Sequence, residues 1–88
     1  MANHKSAIKR AKQNEVRRLR NRARRTRMKN VIKSLEEALR TNPELAQERL
    51  RDAISTIDRT AQKGVIHRKK AARKISRLAS RVNAILKA

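Results

Sequence analysis

Residues 6–43 decide the fold of this chain, and they read SAIKRAKQNEVRRLRNRARRTRMKNVIKSLEEALRTNP. The segment contains no Gly, and its only Pro is the last residue, Pro43. We therefore expect one helix over residues 6–41, roughly 50 Å long at ~1.5 Å per residue. Pro43 ends it, because proline cannot continue a helix without losing a hydrogen bond and disfavours helical backbone at the preceding Asn42.

This first helix carries two apolar stripes that lie on different faces. On a helical wheel the two stripes point about 150° apart, so one straight helix cannot bury both in the same core. The later stripe has the larger side chains. We therefore assign the later stripe to the core and expect the earlier half of the helix to project. The earlier stripe is Ile8, Ala11, Val16, Leu19 and Ala23, and the later one is Met28, Val31, Ile32, Leu35, Ala38 and Leu39.

Two more amphipathic helices are expected after Pro43. Asn42 as N-cap and Pro43 in the first turn start a second helix over residues 43–63, and Gly64, the only glycine, ends it in a left-handed conformation. A third helix is expected over residues 67–87. Its apolar stripe is Ala71, Ala72, Ile75, Leu78, Ala79, Val82, Ile85 and Leu86, and that of the second helix is Ala46, Leu50, Ala53, Ile54, Ile57 and Ala61.

Short connections favour antiparallel neighbours, which predicts an all-α, up-down-up three-helix bundle in a single domain over residues 1–88. The second helix is shorter than the first and runs back only as far as about Asn21. Residues before Asn21 therefore overhang the bundle by roughly 20 Å. We expect residues 1–5 to form a flexible tail, with Ser6 as the N-cap of the first helix.

Positive charge is concentrated at both ends of the sequence. The chain of 88 residues has 26 Lys and Arg against 7 Asp and Glu, a formal net charge of +19. Residues 5–33 hold thirteen basic residues and one acid, residues 34–64 hold five and six, and residues 65–88 hold eight and none. Such an excess predicts a polyanionic partner that meets the two ends and largely avoids the middle.

The composition gives little support to other functions. Without Cys, and with only His4 and His67 as histidines, the chain offers no thiolate or histidine cluster for a metal, and no catalytic constellation is recognisable. No cofactor, metal, small-molecule substrate or membrane span is expected. The carboxylates of the middle segment are expected to pair with local bases such as Arg40 and Arg51.

The basic residues themselves favour nucleic acid. Arginines on several faces of the first helix repel one another, so this segment should be poorly helical alone and ordered by a polyanion. Arginine suits phosphate oxygens, and the absence of aromatic residues argues against base stacking. The expected target is helical nucleic acid recognised through phosphate and shape. RNA and DNA stay open at this point, with a nucleoid-type DNA-compacting protein as the alternative; a membrane-active helix or a protein-binding bundle explains the charge less well.

Two blocks of the sequence resemble the bacterial small-subunit ribosomal protein S20 family. The first is ANHKSAIKR at residues 2–10 with QNE at 13–15 and RRLRNR at 17–22, and the second is KGVIHRKKAARK at 63–74 with SRLA at 76–79. The resemblance implies a three-helix, non-enzymatic protein of the cytoplasmic ribosome. It would bind 16S ribosomal RNA of the small (30S) subunit early in assembly and make few protein contacts.

The resemblance and the charge pattern together give a set of expected RNA-binding residues. Positions matching the family are Asn3, His4, Lys5, Ser6, Lys9, Arg10, Arg17, Arg18, Arg20, Arg22, His67, Arg68, Lys70, Arg73, Lys74 and Arg77, and the charge density adds Arg24 and Arg25. The chain departs from the family pattern at Val16 and Ile75, where a basic residue is usual. Phosphate contact is not expected at those two positions, and Ile75 is assigned to the core.

Overall fold

The described part of the chain folds into three helices joined by two short connections. The computed structural model describes the backbone of residues 2–87 and the side chains of residues 4–87. Helix α1 spans Ala2–Thr41, a 3-10 turn spans Pro43–Leu45, α2 spans Ala46–Gln62 and α3 spans Arg68–Lys87. No strand occurs in the part of the chain that is described. The all-α, up-down-up bundle expected from the sequence is confirmed.

Helix α1 begins earlier than the sequence indicated. It is helical from Ala2, so the expected helix start and N-cap role at Ser6 were wrong, and residues 2–5 belong to the helix; Met1 lies outside the described residues. Ser6 sits inside the helix because nothing between Ala2 and Ser6 breaks it. Neither Gly nor Pro occurs before Pro43, and a helix that has formed propagates easily into such residues.

The turn between α1 and α2 uses backbone groups where a side-chain cap was expected. The Asn42 side chain makes no capping hydrogen bond. The Asn42 amide donates to the Ala38 carbonyl at 2.8 Å, and the Asn42 carbonyl accepts from the Leu45 amide at 3.1 Å. The second bond closes the 3-10 turn, so the α-helical part of the second helix begins at Ala46, three residues after Pro43.

The end of α2 is fixed by Gly64, as expected. Gly64 has a φ of +76°, its amide donates to Ala61 at 2.9 Å, and the Val65 amide reaches back to Thr60 at 3.1 Å. These two bonds make a Schellman motif, which satisfies the last carbonyls of the helix and needs a left-handed residue at this position. Val65 is buried just after the turn and anchors it to the core.

A small apolar core joins the three helices. It consists of Met28, Leu35, Leu39, Ala46, Ala53, Ile57, Ala71, Leu78 and Val82, with Val31, Ile32, Leu50, Ala61, Ile66 and Ile75 packed at its edge. Among the residues whose side chains are described, Thr60 is the one buried polar residue, and its hydroxyl donates to the Thr56 carbonyl at 2.7 Å. The later stripe of α1 is therefore the core stripe, as the sequence predicted.

The C-terminal end of α3 is less buried than its apolar pattern predicted. Ile85 and Leu86 are 40% and 44% exposed, although both continue the apolar stripe. The contact between Arg81 and Glu36, 45 residues apart, shows which residues of α3 and α1 lie level with each other. The same offset places Leu86 level with Thr41, where α1 ends. The two side chains thus reach the end of the bundle and have too few neighbours to be covered.

Candidate nucleic-acid interface

The first half of α1 stands clear of the bundle. Every residue from 4 to 20 is exposed, the first half-buried residue is Asn21, and the first buried one is Met28. Ile8, Val16 and Leu19 of the earlier stripe are 46%, 45% and 56% exposed. The molecule is accordingly elongated, 68 × 23 × 13 Å between its Cα atoms. We call residues 4–20 the overhang; its limit at Asn21 is the one expected from helix lengths.

The structure places the expected RNA-binding residues in two groups. On α1, Arg24 is half-buried, while His4, Lys5, Ser6, Lys9, Arg10, Arg17, Arg18, Arg20, Arg22 and Arg25 are exposed. Around the start of α3, Lys74 is half-buried, while His67, Arg68, Lys70, Arg73 and Arg77 are exposed. The side chain of Asn3 lies outside the described residues. Being exposed, nearly all of these side chains are free to meet a large ligand.

Part of each group, together with Lys29 and Arg81, lines the same groove. Lys70, Lys74, Arg77 and Arg81 recur at helical spacing, so they share one face of α3. Arg81 on this face donates to Glu36 of α1 at 3.2 Å, which places the face beside α1. In line with Glu36 along α1, again at helical spacing, stand Arg18, Arg22, Arg25 and Lys29. The α1–α3 groove, defined by these residues, is therefore basic on both sides.

These cations have almost no protein counter-charge. Among the residues that the structure describes, Arg81 and Glu36 form the only ion pair, and both side chains are about half exposed. The expectation that the central carboxylates pair with Arg40 and Arg51 was wrong. Those carboxylates stand on exposed helix faces, where an ion pair gains too little to hold two side chains together. The basic surface is thus left to an external anion.

His67 has a structural role at the start of α3. Its Nδ1 accepts a hydrogen bond from the Lys69 amide at 3.1 Å, in the manner of an N-cap. The residue as a whole is exposed, so its side chain is accessible to a ligand. His67 can therefore cap the helix and still contact a phosphate oxygen. The sequence alone could not decide between these two roles, and the structure is compatible with both.

Sequence reasoning missed the basic residues at the end of α2. Arg59 and Lys63 lie in a segment with slightly more acids than bases, and a charge sum over that segment conceals them. The structure brings both to a cleft that Arg24 and Arg27 of α1 also line. Their spacing of four residues, close to the helix end marked by Gly64, is the signal that could have identified them.

Other kinds of site are not supported by the side-chain arrangement. No group of three or more His, Asp or Glu residues is close enough to hold a metal ion within residues 4–87. None of the three helices, as far as the chain is described, is both long and apolar enough to cross a membrane. Fold and surface together define the chain as a small, strongly basic helical protein of the kind that binds nucleic acid.

Comparison with known proteins identifies the family. Residues 2–83 match the family model described as ribosomal protein S20. A protein of Syntrophobacter fumaroxidans is 66% identical over 86 residues, which cover 97% of this chain and all of that protein. One of Desulfotalea psychrophila is 60% identical over the whole of both chains. One of Kosmotoga olearia is 51% identical over all of this chain and 92% of its own length.

Each of these three relatives is named small ribosomal subunit protein bS20. The chain belongs to the ribosomal protein S20 family. It is therefore a structural ribosomal protein of the small subunit and not an enzyme, and its place is the cytoplasmic ribosome.

Proposed function

We propose that this chain binds 16S ribosomal RNA directly, through backbone phosphates and helix shape, and that it does so early in assembly of the 30S subunit. The observation that carries the proposal is the α1–α3 groove. Six basic side chains line its two walls, two more continue its α1 wall, and only Arg81 has a carboxylate partner among the described residues. An RNA backbone supplies the anions that the protein lacks at this surface.

The overhang extends the same contact beyond the bundle. Arg22 and, within the overhang, Arg18 continue the α1 wall of the groove toward the N-terminus, past the point where α3 begins. One RNA helix held in the groove and a second along the overhang would both be within reach of one α1. We propose that the remaining expected positions contact the phosphates and sugars of these RNA helices. These positions run from Asn3 to Arg20 on α1 and from His67 to Arg77 near α3.

Direct binding is tested with protein-free 16S ribosomal RNA in a filter-binding titration. If about six phosphates are neutralised, the logarithm of the affinity should fall against the logarithm of salt concentration with a slope of roughly −5. Arg22→Gln/Arg25→Gln should weaken binding about tenfold or more and reduce the slope by about 2. The control Arg51→Gln/Lys87→Gln removes the same charge from exposed positions outside the groove.

Duplex DNA of equal length separates the proposal from its alternative. A ribosomal RNA-binding protein should prefer folded 16S RNA over this duplex at physiological salt, because an A-form helix and a B-form helix present their phosphates differently. Equal affinity for the two, together with equal losses in the groove variant and the control, would contradict the proposal and favour a DNA-compacting protein.

A further inference from the structure

A second basic cleft lies on the opposite side of α1 from the α1–α3 groove. It is a cleft of about 170 Å³ between α1 and α2, and its walls are Arg24, Arg27, Thr56, Arg59, Thr60 and Lys63. The cleft lies at the end of the bundle where α2 stops and the overhang begins. None of its α2 residues was expected to meet a ligand.

Four cations converge on this cleft without an anion among them. No carboxylate lies within ion-pair distance of Arg24, Arg27, Arg59 or Lys63 in the described part of the chain. The neighbouring acid, Asp58, lines the groove between α2 and α3 instead. Like charges drawn together at the mouth of one cleft repel one another, so an anion that occupies the cleft stabilises the arrangement.

Both walls of the cleft are partly fixed before any ligand arrives. Arg24 is half-buried, unlike its neighbours Arg22 and Arg25, and its Nη1 donates to the Asn21 Oδ1 at 3.3 Å. Thr60 is buried, with its hydroxyl held by the Thr56 carbonyl. A guanidinium that is already oriented loses less conformational entropy when it binds phosphate oxygens.

A purely structural role explains only half of this cluster. Bases near the C-terminus of a helix interact favourably with the helix dipole, which accounts for Arg59 and Lys63 at the end of α2. That interaction gives no reason for Arg24 and Arg27 of α1 to face the same cleft. A ligand with several anionic oxygens accounts for all four.

We infer that the α1–α2 cleft is a phosphate seat, and that a backbone phosphate of the RNA is the group it takes. The inference rests on the proposed function for the source of that phosphate. Arg10, Arg17 and Arg24 stand seven residues apart and thus on one face of α1, the face that turns to the core farther along the helix. An RNA strand leaving the cleft meets Arg17 and then Arg10 beneath the overhang. The chain then contacts RNA on two opposite sides of α1.

The seat is tested first on the full-length protein without RNA. Thermal unfolding is measured in sodium phosphate and in sodium chloride of equal ionic strength, for the natural chain, for Arg59→Gln/Lys63→Gln and for the control Arg51→Gln/Lys87→Gln. The natural chain and the control should gain Tm in phosphate, because an anion bound to the folded state stabilises it, and the cleft variant should lose more than half of that gain. An equal gain in all three proteins overturns the seat.

A second arm identifies the source of the phosphate. The cleft variant should bind 16S ribosomal RNA about tenfold more weakly than the control, the loss expected for charge-assisted hydrogen bonds. A variant that loses its response to inorganic phosphate but binds RNA as the control does would contradict the RNA assignment. If the natural chain itself fails to bind the RNA, the proposed function fails, and the phosphate arm still decides whether the seat exists.

Discussion

The two halves of α1 show what a partner helix contributes. Residues 28–39 and residues 4–20 belong to one unbroken helix, and each carries an apolar stripe. The later stripe, in residues 28–39, is buried by α2 and α3, and its Leu35 is fully covered. Leu19 of the earlier stripe, by contrast, is 56% exposed. The same helical conformation is thus packed against the protein core in one half. In the other half it is open on all sides and surrounded by positive charge.

A matched pair of leucine truncations should give the largest difference between the halves. Leu35→Ala removes a fully buried side chain and should lower the free energy of unfolding by about 2–5 kcal/mol. Leu19→Ala removes an exposed one and should change it by less than about 0.5 kcal/mol. Urea denaturation of the two variants measures both. Equal losses would mean that the overhang packs against protein, which contradicts the comparison.

Removing charge from the overhang should affect RNA binding and leave folding alone. Arg10→Gln/Arg17→Gln is expected to weaken 16S ribosomal RNA binding about ten- to a hundredfold, since each arginine loses a charge-assisted contact. The free energy of unfolding should stay within about 0.5 kcal/mol, because both side chains are exposed. Filter binding and urea denaturation are compared with Arg51→Gln/Lys87→Gln. Affinity equal to that control would remove the overhang from the interface.

Gly64 helps to determine where the bundle ends, because its turn terminates α2 beside the start of the overhang. Gly64→Ala should cost about 1–2 kcal/mol in unfolding free energy. Space is no obstacle, as nothing lies within 4 Å of the added Cβ, so the cost comes from the φ of +76° alone. Gly64→Asn should cost less, since Asn tolerates this conformation better. Similar costs for the two variants would argue against the left-handed turn.

The smallest effect is expected at the Glu36–Arg81 ion pair between α1 and α3. Glu36→Gln should lower the free energy of unfolding by less than about 1 kcal/mol, because both side chains of the Glu36–Arg81 pair are about half exposed and solvated. Thermal melts at low and high salt measure it, and the difference from the natural chain should shrink as salt screens the pair. A loss that persists in high salt would point to packing in place of charge.

Much of the bundle was predictable because local chemistry decides it. Pro43 has to end a helix, Gly64 supplies the left-handed residue of a Schellman turn, and apolar spacing marks the buried faces. Counting residues then placed the beginning of the overhang at Asn21, where burial begins. Each of these inferences uses only neighbours along the chain and the rise of a helix.

The errors concern features that local sequence does not determine. Ser6 is a good N-cap residue, but nothing before it stops the helix, which runs on to Ala2. The apolar character of Ile85 and Leu86 predicts burial, yet the level at which α1 ends leaves them exposed. The cleft formed by Arg24, Arg27, Arg59 and Lys63 depends on how α1 packs against α2. A segment's total charge carries no information of that kind.

Hydrogen exchange of the full chain, free and bound to 16S ribosomal RNA, tests the central claim most directly. In the free protein the amides of residues 4–20 should exchange with little protection, because no partner helix covers them and their arginines repel, while those of residues 28–39 should be protected by the core. On RNA binding, the overhang amides should become protected. Strong protection of the overhang in the free protein, or none in the complex, would contradict the claim that RNA completes this half of the helix.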